Sequence, residues 1–359
     1  MLSLKLVVCT VLAWVVLEGG TPASCFEFPK LPTIDVKFPW GQSPGSPVKS
    51  MLGNNGGSLN PGDTIAVVGA SGNVGKLVAL RLSDTYNVNG IVRDSSSVEE
   101  FFKGRDNIKL FESDLLSELK SEQDCPDSLR PALSNANAII VCTGTTAFPT
   151  KAWSKSEEKE ITFDVLRALV DNKFNLLDAV SQLDGKDFNT PKNIDDLGNK
   201  LILRAWNAAS KVSKKRAILL SSIGVQRRTQ MPFPILNACG VLDAKAEAEA
   251  ALIQNAKDKN YSYTIVRPGQ LFGGPYDNNF YLGTLFQLDK DAATQDVEVG
   301  LGDELLGDTL RSTLAEVTAQ ICETNSALDC DFAVVNIKGT PPSVETLQER
   351  LRSISTQSA

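Results

Sequence analysis

The stretch that most restricts how this chain can fold is TIAVVGASGNVGK, residues 64–76. A short β-branched run ends in glycines at Gly69, Gly72 and Gly75, and an apolar helical pattern begins at once over 74–82. The order is strand, tight turn, helix. Without Cβ atoms in the turn, backbone N–H groups and the positive helix end can approach an anion such as a pyrophosphate. Gly69, Ser71, Gly72, Asn73, Val74 and Gly75 are therefore the candidate dinucleotide-binding turn. A turn that binds nothing is the plainer alternative. A P-loop is excluded, because its spacing would need glycine at Ala70 and a hydroxyl at Leu77.

Further apolar runs at 88–93, 107–114, 138–144, 216–222 and 263–269 alternate with helical patterns at 96–102, 128–133, 197–209 and around Lys245. Buried runs between helices indicate a parallel sheet covered on both faces. Right-handed crossovers then make it doubly wound, so the expected fold class is α/β with a doubly wound parallel sheet of the Rossmann type. Residues 145–193 are too long for a strand–helix connection of roughly two to six residues. Within them, Val165, Leu166, Leu169 and Val170 at helical spacing predict an inserted helical element over 161–180. Beyond Gly273 the alternation fades into a helix at 308–323, a strand at 331–337 and a last helix at 343–354. This predicts a small C-terminal α+β portion roofing the strand ends, with one domain over 61–340 and a helix and tail over 341–359.

Residues 1–25 have a short basic start, an apolar run from Leu6 to Leu17 and small residues at the end, the layout of a signal peptide. Residues 26–60 are rich in Pro, Gly and Ser and lack periodicity, as a linker or transit peptide does. The junction ASCF resembles the cleavage site of proteins sent to complex red-lineage plastids of algae, with Phe26 opening a transit peptide. Secretion or retention in the ER lumen is the alternative. The apolar run is too short to cross a bilayer, so no transmembrane segment is expected in the mature protein.

The chain has no histidine, 36 basic and 43 acidic side chains and a net charge of −7. That leaves no basic footprint for nucleic acid and excludes His-dependent nucleophilic and metal sites. Seven scattered cysteines suggest neither zinc nor a disulfide framework, and no metal site is expected. Proton chemistry near neutral pH must fall to Tyr, Lys, Asp, Glu or Cys.

In a sheet of this kind ligands bind outside the carboxyl ends of the strands. After the second strand stands Arg93, where an acid would grip a ribose 2′-OH; a cation there suits a 2′-phosphate, so NADP(H) is favoured over NAD(H). Asp94 beside it weakens that reading. Asp114 and Leu115 at the end of the third strand would lie near the adenine. Thr143, Gly144 and Thr145 after the fourth would pass the nicotinamide ribose.

With GASGNVG (69–75), CTGTTAFPT (142–150), LLSSIGV (219–225), GVLDAKAEAE (240–249) and YTIVRPGQLFGGP (263–275) in order, the chain resembles the atypical short-chain dehydrogenase/reductase superfamily. Its nearest look is the NmrA-like, Tic62-like group of plastid NAD(P)-binding proteins. The resemblance implies a Tyr-x-x-x-Lys pair on the helix after strand five, assisted by a serine. Here Lys245 is present and Ser221 or Ser222 is present, with Ser222 the preferred candidate, but the tyrosine position is Val241. Lys245 would clamp the nicotinamide ribose, and Pro268 and Gly269 would lie along the nicotinamide. The plainer reading of Lys245 is a surface lysine paired with Glu249. Tyr276 is a substitute proton donor to consider. Two functions follow: a dinucleotide-binding accessory or redox-sensing protein of a plastid complex, or an NADPH-dependent oxidoreductase with a non-standard proton donor.

Overall fold

The computed structural model describes residues 58–154, 161–273 and 294–357. The signal-peptide and transit-peptide readings over 1–57, and Tyr276, lie outside the described residues. Eight strands form one sheet: β1 (Thr64–Val68), β2 (Asn87–Val92), β3 (Ile108–Glu112), β4 (Ala138–Val141), β5 (Arg216–Leu220), β6 (Ser262–Pro268), β8 (Asp296–Leu301) and β10 (Cys330–Ile337). Their spatial order is β3-β2-β1-β4-β5-β6-β10-β8. All neighbours pair in parallel except β10 with β8, which is antiparallel and closes one edge. The chain is thus a doubly wound α/β protein, and the order reverses between β1 and β4, where such sheets open a crevice.

Side-chain alternation in β1 shows why both faces need cover. Ile65 and Val67 enter one core cluster, and Ala66 and Val68 the other. The first face is covered by α1 (Gly75–Leu82), with α9 (Arg311–Glu323) and α10 (Val344–Gln357) beside it. The second is covered by α3 (Arg130–Leu133), α6 (Asn199–Ala209) and α8 (Val241–Lys259). Arg81 of α1 forks onto Glu316 and Glu323 of α9 at 2.7 and 2.8 Å. Arg216, fully buried, donates to the carbonyls of Ile321, Ser326 and Ala327 near the end of α9, where helix carbonyls favour a cation.

Several elements differ from the sequence reading. The helix expected at 96–102 is a run of turns, because Ser97 Oγ donates to Asp94 O and Ser96 N–H to Asp94 Oδ1. Such short polar side chains compete with helix bonding. Asp308–Leu310 is not the start of a helix but strand β9, paired with β7 (Gln270–Phe272). The C-terminal strand β10 is no separate layer: it extends the main sheet beside β6. The insertion holds two helices, α4 (Thr162–Asp171) and α5 (Leu176–Asp184), packed on their own cluster of Trp153, Ile161, Leu169, Val180 and Leu183. Phe163, Leu166, Val170, Phe174 and Leu177 of this unit stay exposed. Among the described residues no helix is long and apolar enough to cross a membrane.

Candidate functional site

The glycine turn sits at the carboxyl end of β1. Gly69 adopts φ +79°, and the N–H groups of Gly69 and Ala70 both donate to Ile91 O, at 3.0 and 3.1 Å, which ties the turn to the end of β2. Gly72 N–H returns to Gly69 O at 3.0 Å. A Cβ on Gly75 would lie 2.1 Å from Gly69 O, and one on Gly69 would lie 3.0 Å from Thr143 Cγ2. The turn therefore touches both the first helix and the loop after β4. Ser71 and Asn73 are half-buried, Gly72 is exposed and Val74 is buried.

At the end of β2, Arg93 is exposed. Asp94 Oδ1 accepts from Ser96 N–H at 2.9 Å and from Ser96 Oγ at 2.7 Å. Glu112, at the end of β3, accepts Ser95 N–H and Ser95 Oγ, and these bonds hold its carboxyl below the usual range. Asp114 caps the short helix Leu115–Glu118 by accepting from Leu116 N–H at 3.1 Å, and Leu115 is buried.

The loop after β4 meets Lys245 through a residue the sequence reading did not single out. Asp195 is fully buried; its Oδ1 accepts from Lys245 Nζ at 2.8 Å and its Oδ2 from Thr145 N–H at 3.1 Å. Burial pushes the Asp195 carboxyl above the usual range, against the opposing pull of the Lys245 ammonium and the Thr145 N–H. Asp195 stands in a π-helical segment, Lys192–Gly198, that runs directly into α6. At the start of α6, Asn199 donates to Asp195 O at 2.7 Å and accepts from Thr143 Oγ1 at 3.2 Å. Gly144, exposed, lies over the pair: a Cβ there would be 3.2 Å from Asp195 Oδ1 and 3.4 Å from Lys245 Nζ.

The pairing of Lys245 with Glu249 does not occur. Glu249 is buried and faces Arg267 with both oxygens, at 3.0 and 2.7 Å, while Ser221 Oγ donates to it at 2.5 Å. Arg267 also reaches Asp331 on β10. One turn of α8 sends Lys245 to one side and Glu249 inward to β5 and β6. Ser221 is thereby committed, whereas Ser222 is half-buried and donates only to Ile223 O, at 3.0 Å, among its described bonds. Val241 is buried with Ile223, Val225, Phe233 and Leu242.

Pro268 and Gly269 are buried at the end of β6. Pro268 O accepts from Ile223 N–H at 3.0 Å, and a Cβ on Gly269 would lie 2.0 Å from Gly307 O. Close approach of β9 thus accounts for this glycine.

Two observations fit these residues to a dinucleotide. The turn is a cradle that a Cβ at Gly75 would disrupt, and Thr145 Oγ1 is buried with no hydrogen-bond partner among the described residues. A family model described as NAD(P)H-binding matches residues 69–323, most of the chain. The chain belongs to the NAD(P)H-binding family. It is 29% identical over 216 residues to the chloroplastic protein TIC 62 of Arabidopsis thaliana, covering 58% of this chain and 27% of that protein. The chain therefore spans about a quarter of that relative's length. Among solved structures, the oxidoreductase YlbE from Lactococcus lactis is 20% identical with a TM-score of 0.50, covering 81% of this chain and 96% of that one. A Bacillus halodurans protein described as an NAD-dependent epimerase/dehydratase is 17% identical with a TM-score of 0.51, covering 81% and 100%. These two likenesses show the Rossmann fold; the family model carries the NAD(P) ligand.

Proposed function

We propose that this protein is an NADP(H)-binding accessory or redox-sensing protein of the plastid, with the cofactor half of a short-chain dehydrogenase site and without its usual proton donor. The observation that carries the reading is Val241. It stands one helical turn before Lys245, at the position the resemblance assigns to tyrosine, and it is buried in an apolar cluster. Valine moves no proton. Bound NADP(H) would supply hydride-transfer capacity; the chain's residues would supply the cradle and the clamp. Gly69, Gly72 and Gly75 would cradle the pyrophosphate, Thr143 and Thr145 the nicotinamide ribose, and Lys245 would bond the ribose hydroxyls.

Arg93 supports NADP(H) over NAD(H), since it is exposed at the end of the second strand, where a cation suits a 2′-phosphate. The similarity to a chloroplastic relative and the leader-like residues 1–25 support the plastid. The exposed Phe163, Leu166, Val170, Phe174 and Leu177 offer a surface on which a protein complex could dock.

A second reading, an NADPH-dependent oxidoreductase with a non-standard proton route, draws on Ser222, whose hydroxyl is not locked as that of Ser221 is. One experiment separates the two. NADPH and NADH affinities are measured by fluorescence titration, and NADPH oxidation is then followed with a panel of quinones and enones. Binding without turnover supports the accessory role, turnover abolished by Ser222→Ala supports the enzyme, and failure to bind either dinucleotide overturns both.

A further inference from the structure

We propose that Asp195 is a positioning residue for the dinucleotide site, holding Lys245 and the loop after β4 in one fixed geometry. The inference rests on the cofactor-binding reading above and extends it to a residue outside the motifs. Lys245 and the 143–145 loop come from separate parts of the sequence, and a ribose clamp needs both at fixed spacing. Asp195 is where they meet. One carboxylate oxygen takes the Lys245 ammonium at 2.8 Å, and the other takes the Thr145 N–H at 3.1 Å. Asn199 adds a second tie between the Asp195 segment and the loop after β4, donating to Asp195 O and accepting from Thr143 Oγ1.

The backbone is shaped for this. A π-helical segment is a rare local widening of a helix, and here it occupies the very turn that carries Asp195, which is fully buried. An ammonium has three N–H donors; Asp195 takes one and leaves two for a ribose diol. Gly144 packs closely on the pair: a Cβ there would stand 3.2 Å from Asp195 Oδ1, a tight contact, and 3.4 Å from Lys245 Nζ. The competing account is a buried ion pair that merely staples α8 to the segment before α6.

The test is a double-mutant cycle on the full mature protein, with NADPH as probe. Affinity is titrated and melting temperature recorded for wild type, Asp195→Asn, Lys245→Met and the double variant. If Asp195 acts through Lys245, Asp195→Asn binds NADPH about tenfold or more weakly, the scale of a lost charge-assisted bond. The double variant then binds no worse than Lys245→Met alone. Additive losses overturn the proposal, and so does a lowered melting temperature with wild-type affinity, which is the staple. Asp195→Glu guards against a failure of Asp195→Asn to fold: it keeps the charge but moves the carboxylate by a methylene. Weakened NADPH binding by that folded variant supports positioning; wild-type affinity overturns it. If the wild-type protein binds no dinucleotide, the cofactor reading fails first and the proposal falls with it. Binding by the wild type with an unaffected Asp195→Asn overturns the proposal alone.

Discussion

Gly75 and Gly69 are in contact across the first turn of the fold: a Cβ on Gly75 would stand 2.1 Å from the Gly69 carbonyl oxygen. The neighbour is backbone, so it cannot swing aside. Gly75→Ala is expected to destabilise the protein by about 1–3 kcal/mol, the usual scale of overpacking, and to distort the turn enough to weaken NADPH binding. Gly72→Ala, whose Cβ would be 3.2 Å from the same oxygen, should be milder. Thermal melts and NADPH titration of both variants check the order.

Glu249 belongs to a buried ion cluster with Arg267 and Ser221, not to the surface of α8. Removing its charge leaves the Arg267 guanidinium, 2% exposed, with Asp331 alone. Glu249→Gln should therefore cost about 3–5 kcal/mol in urea unfolding, the range for a broken buried pair. A surface partner of Lys245 would cost a few tenths of a kcal/mol, about tenfold less. A neutral result would mean the cluster does not form.

Lys245→Met should make stability more dependent on pH. Burial already raises the Asp195 carboxyl, and Lys245 is the main influence pulling it down. Without Lys245 the folded-state value rises further, so the native protein holds the proton more tightly than the unfolded chain does. Stability from this group is then fully present below the unfolded Asp value of about 3.9 and is lost as pH rises through the raised folded value. Urea melts at acidic and at mildly alkaline pH should show a deficit relative to wild type that grows with pH. A deficit independent of pH would place the loss elsewhere than Asp195.

Arg93→Ala should separate the two dinucleotides. If its guanidinium meets a 2′-phosphate, NADPH binding falls about tenfold or more while NADH binding stays within a factor of about two. Equal losses for both would assign Arg93 to the common part of the ligand.

Much of this site was legible in the sequence where function is written in local pattern. The strand, glycine turn and helix of residues 64–82 need only their own neighbours, and their contacts follow from spacing. Asp195 was not legible that way, although a trace was present. Asp195, Asn199, Ile202 and Trp206 fall on one helical stripe, and the last two are core residues. Two polar residues continuing an apolar stripe are candidates for buried, partnered groups. The π-helical widening hid the alignment. Strand β8 was missed for a different reason: Val297, Val299 and Leu301 alternate with Asp296, Glu298 and Gly300, an edge pattern that long buried strands elsewhere overshadowed. The alternative pairing of Lys245 with Glu249 stayed open in the sequence because a helical Lys–Glu spacing looks the same whether the acid faces water or a buried arginine across the sheet.

The last helix, α10, brings Leu347, Leu351 and Ile354 into the same core cluster as β1 and α1, each no more than 1% exposed. Arg350, flanking that face, reaches Asp296 at 2.7 Å, tying the helix to the edge strand. A protein produced for biochemistry and stopped at residue 340, where the regular pattern of strands has ended, would lose this cover. Three buried contacts would become a sticky patch beside the nucleotide half, and poor solubility of such a shortened protein would say nothing about its cofactor. Material meant for ligand titrations should retain the chain through Gln357.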